Sequence, residues 1–455
     1  MKVIIIGAGI SGLAAAWTLQ KNGVEAVVLE EKSQAGGRTV GTLKDGFVID
    51  HGAQFFMKCY PTTIELIHEM NMQDSIVPMK KHKQALWIEQ NLLSLRPSLD
   101  FKAILKYLKD LVPGKYFGLS GYFQLSKFLL HILRRRKDLD FIRYENSLDL
   151  DQYCFSDFVL RHGGRQALEY VLEPMVAGIT LGKADELGAL YGAALFWNLM
   201  QGNWILKNGI YSLPQKIFEK VKQSVHLSTS VDKIVMENNS VKGVETGQGF
   251  LDADAVICAT TATAARKIIP DLPQDLCYIL DRVQYRACCH VVFAFPRRVM
   301  PEGYDVISFP LKAGSVMAAF ADSAEYNESY APSGASLIHC YVYEKYAVEF
   351  NNLSDEKIIS HLKSELKTYI PSIPDNPIFT EIFRWKEAMC FGAPGMFSAV
   401  NRLKKENGLL VKGLFFAGDY LNLASVEGSA ASGIDAAEHV LKGYPKIFEI
   451  CRGGF

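Results

Sequence analysis

The stretch that decides the fold is MKVIIIGAGISGLAAAWTLQKNGVEAVVLEE, residues 1–31. Residues 2–6 are a near-continuous apolar run, as a parallel strand buried on both faces requires. Gly7 then permits a tight turn, Gly9 lets the backbone approach a pyrophosphate, and Gly12 lets the following helix pack on the strand. That helix, from Ile10 and Ser11 to about Lys21, points its first amides at the anion. A second strand over 26–29 ends at Glu30, 18 residues after Gly12, with Glu31 beside it. A carboxylate there accepts hydrogen bonds from ribose hydroxyls and repels the extra phosphate of NADP. A lone GxGxxG is a weak signal. Strand, turn, helix, strand and acid in this order make a dinucleotide-binding unit.

Working outward, EEKSQAGGRTVGTLKDGFVIDHGAQFF (30–56) adds Gly36, Gly37, Arg38 and Thr39. An arginine at that place neutralises a pyrophosphate bidentately. Far away, GLFFAGDYLNLASVEGSAASGIDAAEHVL (413–441) reads as a strand, a Gly418-Asp419 turn and a helix starting near Val426. A cofactor gripped from both ends of the chain points to FAD, which is long and has a flavin ring to bury. The expected fold is α/β: a Rossmann-type FAD-binding domain from 1–80, 209–266 and 380–455, with an inserted α+β substrate-binding domain from 81–208 and 267–379. In the second piece of the cofactor domain, strands at about 225–236, 241–245 and 253–259 read as an antiparallel meander.

These motifs resemble the flavin amine oxidase superfamily, which includes monoamine and polyamine oxidases, protoporphyrinogen oxidase and phytoene desaturases. The resemblance implies that the GGR turn binds the pyrophosphate and that Asp50 to Ala53 run past the flavin, followed by Gln54 and Phe55. It implies cofactor contacts at Gly52, at the backbone of Val231, and at Asp419, whose side chain reaches the ribitol. The helix start at Ser425 to Gly428 is then aimed at the flavin, where it stabilises the charge of the reduced ring. RWKEAMCFGAPGM (384–396) resembles the family run beside the flavin: Trp385, Ala388, Pro394 and Gly395 keep the spacing. Cys390 replaces a proline, Gly392 a tyrosine and Met396 a histidine.

The departures bear on chemistry. Without the tyrosine, the two-ring cage that orients amines is incomplete, and Gly392 opens the pocket toward a broad substrate. Cys390 is a candidate for a thioether to the flavin, against the plain reading of a small buried thiol. Amine oxidases place a lysine on a strand that YRACCHVVFAF (285–295) resembles; here Cys289 takes that place, with His290 beside it. His290 reads either as a general base or as a packed strand histidine. FSDFVLRHGGRQALEYVLEPMVAGITLGKADELGAL (155–190) resembles the protoporphyrinogen oxidase branch at Glu173, Pro174, Gly178, Ile179 and Asp185. The expected function is therefore FAD-dependent dehydrogenation of a bulky apolar or aromatic molecule. The alternatives are an amine oxidase that releases peroxide, and an isomerase that uses reduced flavin without net redox. No single catalytic residue stands out.

Composition sets the remaining bounds. A hydrophobic content of 49% supports a large core, and a formal net charge of zero gives no reason to expect a nucleic-acid partner. Nine cysteines without metal-ligand spacing read as reduced thiols, with no metal expected. A start directly in a strand implies a cytoplasmic address, and the apolar stretch 187–200 is too short to span a bilayer. Residues 101–137 hold nine Lys or Arg and the single acid Asp110, interleaved with Tyr, Phe and Leu. That run is either a basic face resting on anionic membrane or a solvated helix face of a lid.

Overall fold

The computed structural model describes residues 1–79, 84–88, 91–95, 119–301 and 304–443. Val3–Ile6 is buried along its whole length and pairs in parallel on both sides, with Ala26–Leu29 and Ala255–Cys258. Val225–His226 and Leu414–Phe416 extend this sheet to five parallel strands. In order of first appearance the strands lie 3-2-1-4-5, so the strand order reverses beside Val3–Ile6. Ligands of such sheets bind at that reversal, outside the carboxyl ends of the strands. The glycine turn at 7–9 sits there.

Two helices cover this turn. Ile10–Lys21 starts directly after it, and the C-terminal helix Val426–Gly443 packs across it. The packing is close enough to need glycine. A Cβ on Gly433 would stand 2.0 Å from the Ser11 carbonyl oxygen, and one on Gly12 would stand 1.9 Å from that of Gly7.

The meander is Val231–Glu237, Ser240–Thr246 and Gly249–Asp252. This corrects the sequence reading. Residues 225–226 and 255–258 have left the meander for the parallel sheet, where Ala255–Cys258 is buried on both faces. Short apolar strands show where they are buried and not which sheet they join.

A seven-stranded sheet, largely antiparallel, stands over the cofactor side in the order 379–391, 284–295, 336–342, 317–322, 306–308, 84–88, 91–95. Strand Phe379–Phe391 runs antiparallel to Gln284–Phe295 along nearly all its length, so by pairing it belongs here, although the sequence reading put 380 onward with the cofactor pieces. The helices Leu119–Arg135, Glu173–Thr180 and Ala189–Leu199 form the opposite wall, and Phe155–His162 packs behind it against Gly192. Ala189–Leu199 is the apolar stretch seen in the sequence, and it is buried almost throughout. Among the described residues no helix is long and apolar enough to cross a membrane. Of the basic run, 101–118 lies outside the described residues.

Candidate active site

A cavity of about 1910 Å³ lies between the carboxyl ends of the parallel strands, the seven-stranded sheet and the helical wall. A usual small-molecule site holds ~300–1,000 Å³, so this one has room for a long cofactor and a substrate together.

Its cofactor half is built by backbone. Gly7 has φ +99° and donates its amide to the Leu29 carbonyl at 2.8 Å, closing the turn between the first two strands. Gly36 donates to the Ala8 carbonyl at 2.8 Å, and a Cβ on Gly37 would stand 2.9 Å from Gly9 Cα. Two glycine loops thus meet with no side chain between them. Glu30 is buried, and its carboxylate accepts from the amides of Ala8 (2.7 Å) and Lys32 (3.0 Å). Each oxygen keeps lone-pair capacity toward the cavity for hydroxyls. Ile10, Ser11, Glu31, Gly37, Thr39, Gly52, Ala53, Gln54 and Phe55 all line the cavity, as do Val231, Gly418 and Val426. Gly12, in the first turn of the helix, packs on the Gly7 carbonyl and does not line the cavity. The small residues Ala259, Thr260 and Thr261, which follow Ala255–Cys258, also reach it.

Arg38 and Asp419 come from opposite ends of the chain and meet. Arg38 Nη2 donates to Asp419 Oδ1 at 2.8 Å, and the Asp419 side chain is only 7% exposed. Burial alone disfavours the charge on Arg38, but the Asp419 carboxylate outweighs it and keeps the guanidinium protonated. The sequence had assigned the two residues to different parts of the cofactor, and nothing local in either motif signals the pair. The helix at Val426–Gly443 is capped by Ser425, whose hydroxyl accepts the Gly428 amide at 2.9 Å. Tyr191 fixes the approach to it by donating to the Ala424 carbonyl at 2.8 Å.

On strand Gln284–Phe295 alternation decides which side chains see the cavity. Cys288 and His290 face it, whereas Cys289 points into a second core with Phe293 and Phe320. Cys289, read as standing in the lysine's place, does not face the cavity. Trp385 pairs across from Cys288 and also lines the cavity. His290 is packed between His339 and Tyr341, with ring centroids 5.1 and 5.0 Å away. Burial pulls its pKa down to about 4, so the ring is neutral at ordinary pH. His339 and Tyr341 were not singled out in SLIHCYVYE, although two-residue alternation puts both on one face of Ser336–Val342.

Two candidates do not reach the cavity. Cys390 is buried, with its sulfur 4.0 Å from that of Met396, and burial pushes its thiol well above the usual range. It lies outside the cavity lining, and its surroundings are those of a packed thiol. Gly392 packs against Tyr191 and Phe397 and accepts the Gly188 amide at 2.7 Å. Its smallness therefore does not open the pocket: Gly392 follows directly on strand Phe379–Phe391 and is packed under two rings.

The helical wall carries one irregular turn. The Glu173 amide reaches back five residues to the Leu168 carbonyl, a π-type widening common near functional sites. Val171, Met175, Gly178 and Ile179 line the cavity from this segment.

Residues 10–441 match the model of the flavin-containing amine oxidoreductase family. The chain belongs to that family. This flavoenzyme is an FAD-dependent oxidoreductase, and its glycine loops, Glu30 and the cationic Arg38 beside the Ile10–Lys21 helix start fit the ribose and diphosphate of FAD. It is similar to coproporphyrinogen III oxidase of Bacillus subtilis, at 24% identity covering 94% of each chain. It is also similar to a 1-hydroxycarotenoid 3,4-desaturase of Flavobacterium, at 26% identity over 56% of each chain. Among solved structures, cyclohexylamine oxidase of Brevibacterium oxydans shares the fold, with TM-score 0.74 and 19% identity over 98% of this chain and 99% of that one.

Proposed function

We propose that this flavoenzyme dehydrogenates a bulky apolar or aromatic small molecule, of porphyrinogen or polyene type. One observation carries the reading. Among the described residues, every charged side chain lining the cavity comes from 30–38, 384–387 or 419. The rest of the wall is uncharged, from Leu125 and Leu129 through Met175, Ile179, Leu195 and Phe196 to Ala319 and Ala321. Such a wall drives binding by burial of apolar surface, at roughly 25 cal/mol per Å². It also keeps water away from the reacting C–H bond. Bound FAD supplies the two-electron acceptor. The relatives that act on coproporphyrinogen and on carotenoids support this class over small amines.

The route in runs past helix Leu119–Arg135. Tyr122, Leu125, Ser126 and Leu129 line the cavity, while Leu119, Phe123 and Leu130 are exposed beside Lys127 and Arg134. That face suits contact with an anionic membrane surface in which an apolar substrate is dissolved.

The test is anaerobic mixing of the holoenzyme with a porphyrinogen, a polyene and a primary amine in turn, following loss of the flavin colour. Bleaching by a porphyrinogen or the polyene supports the proposal. Bleaching by the amine alone, with peroxide released once air is admitted, overturns it in favour of an amine oxidase.

A further inference from the structure

Two donors from different strands converge on one backbone oxygen at the cavity wall. His290 Nδ1 lies 3.0 Å from the His51 carbonyl oxygen, and Trp385 Nε1 donates to the same oxygen at 3.2 Å. All three residues line the cavity. We infer that His290 and Trp385 are positioning residues that clamp the His51 carbonyl and so hold the turn 51–53 against the flavin.

The turn has an anchor on its other side as well. The Ala53 amide donates to the Arg38 carbonyl at 3.3 Å, and a Cβ on Gly52 would stand 2.1 Å from that same oxygen. The turn is therefore suspended between the Arg38 loop and the clamp. A carbonyl oxygen offers two lone pairs, and here both are used. Neither is left unpaired toward an apolar cavity, where an unsatisfied acceptor is costly.

The geometry also fixes the histidine tautomer. A carbonyl only accepts, so His290 carries its proton on Nδ1; its Nε2 lies 2.9 Å from His339 Nδ1, which also has the Gln54 amide nitrogen at 3.1 Å. His339 Nε2 lies 3.1 Å from the Ser323 hydroxyl. Both ring nitrogens of His290 face protein atoms, the His51 carbonyl and the His339 ring, and neither is turned to the substrate. The general-base reading gives way to a positioning role.

The experiment compares FAD-loaded His290→Phe, His290→Asn, Trp385→Phe and the double variant His290→Phe/Trp385→Phe. Asparagine keeps an N–H near the place of Nδ1, whereas phenylalanine keeps only the ring. The readouts are the visible circular dichroism of bound flavin and its dissociation constant. Each loss of a donor is expected to weaken FAD binding on the order of tenfold and to alter the flavin dichroism, and His290→Asn restores both. The double variant leaves the carbonyl bare, so its loss exceeds the product of the single losses. The inference is overturned if His290→Asn behaves like His290→Phe, or if the double variant shows no more than the product.

Discussion

A Cβ built on Gly392 would stand 2.7 Å from Phe397 Cε2 and 2.9 Å from Tyr191 Cδ1, two fully buried rings with little room to yield. Gly392→Ala is therefore expected to cost about 1–3 kcal/mol by overpacking, read as a lower melting temperature. The flavin spectrum should stay unchanged; a changed spectrum with full stability would return the residue to the cavity. His290 gives the acid-side prediction. Burial holds its pKa at about 4 against an ordinary 6.5, so between those values the unfolded chain binds a proton that the folded one refuses. Its stabilisation is complete above pH 6.5 and is lost as pH falls through the window, by about 3 kcal/mol. Asp50 runs the other way. Burial raises its carboxyl to about 7, against two backbone donors, so its share is full below 3.8 and lost as pH rises through 7. His290→Asn removes the first effect and leaves the second. Melting curves should show the variant losing less stability than wild type between pH 6.5 and 4, and parallel curves would contradict this. The glycines of the two loops that line the cavity were legible because a tight turn is a local demand. Cys390 was not, because the way a strand residue points depends on pairing about 100 residues away, at Gln284–Phe295, and Gly392 was not, because the rings that cover it, Tyr191 and Phe397, come from other elements.

At the scale of elements, the same division holds. The first strand, its glycine turn and its helix follow from 31 consecutive residues, and the C-terminal strand and helix from another short run. Their mutual contact does not: Gly433 on Ser11 and Asp419 on Arg38 are meetings across the whole chain. Glu427 shows it most plainly. It reads as one residue of a helix start, yet it accepts the amides of Thr62 (2.8 Å) and Thr63 (2.7 Å) and so caps helix Pro61–Glu69. Helix Leu119–Arg135 carries the element-scale prediction. Its exposed face joins Leu119, Phe123 and Leu130 with Lys127 and Arg134. Each basic residue near an anionic bilayer contributes roughly 1 kcal/mol, so co-sedimentation with phosphatidylserine vesicles should fall steeply with salt. Phe123→Glu/Leu130→Glu should abolish it while FAD content is kept. Binding that ignores both salt and this double change would refute the membrane contact.

For the whole molecule, the partition of charge within one cavity is the organising feature. Among the described residues, charged side chains reach the cavity only from 30–38, 384–387 and 419, and the rest of the wall is apolar or neutral. Ala319 and Ala321 lie on strand Met317–Asp322, whose alternate residue Phe320 packs into the core behind. That alternation makes Ala319 a place where the substrate half can be filled without touching the FAD half. The decisive measurement is the rate of anaerobic flavin reduction in wild type and in Ala319→Phe, with a porphyrinogen, a polyene and a primary amine as reductants. The account predicts that a porphyrinogen or the polyene reduces the wild-type flavin, and that Ala319→Phe slows this at least about tenfold, the equivalent of 1.4 kcal/mol, with FAD content unchanged. Reduction by the amine alone, or reduction by the bulky substrate at the same rate in both proteins, would contradict it.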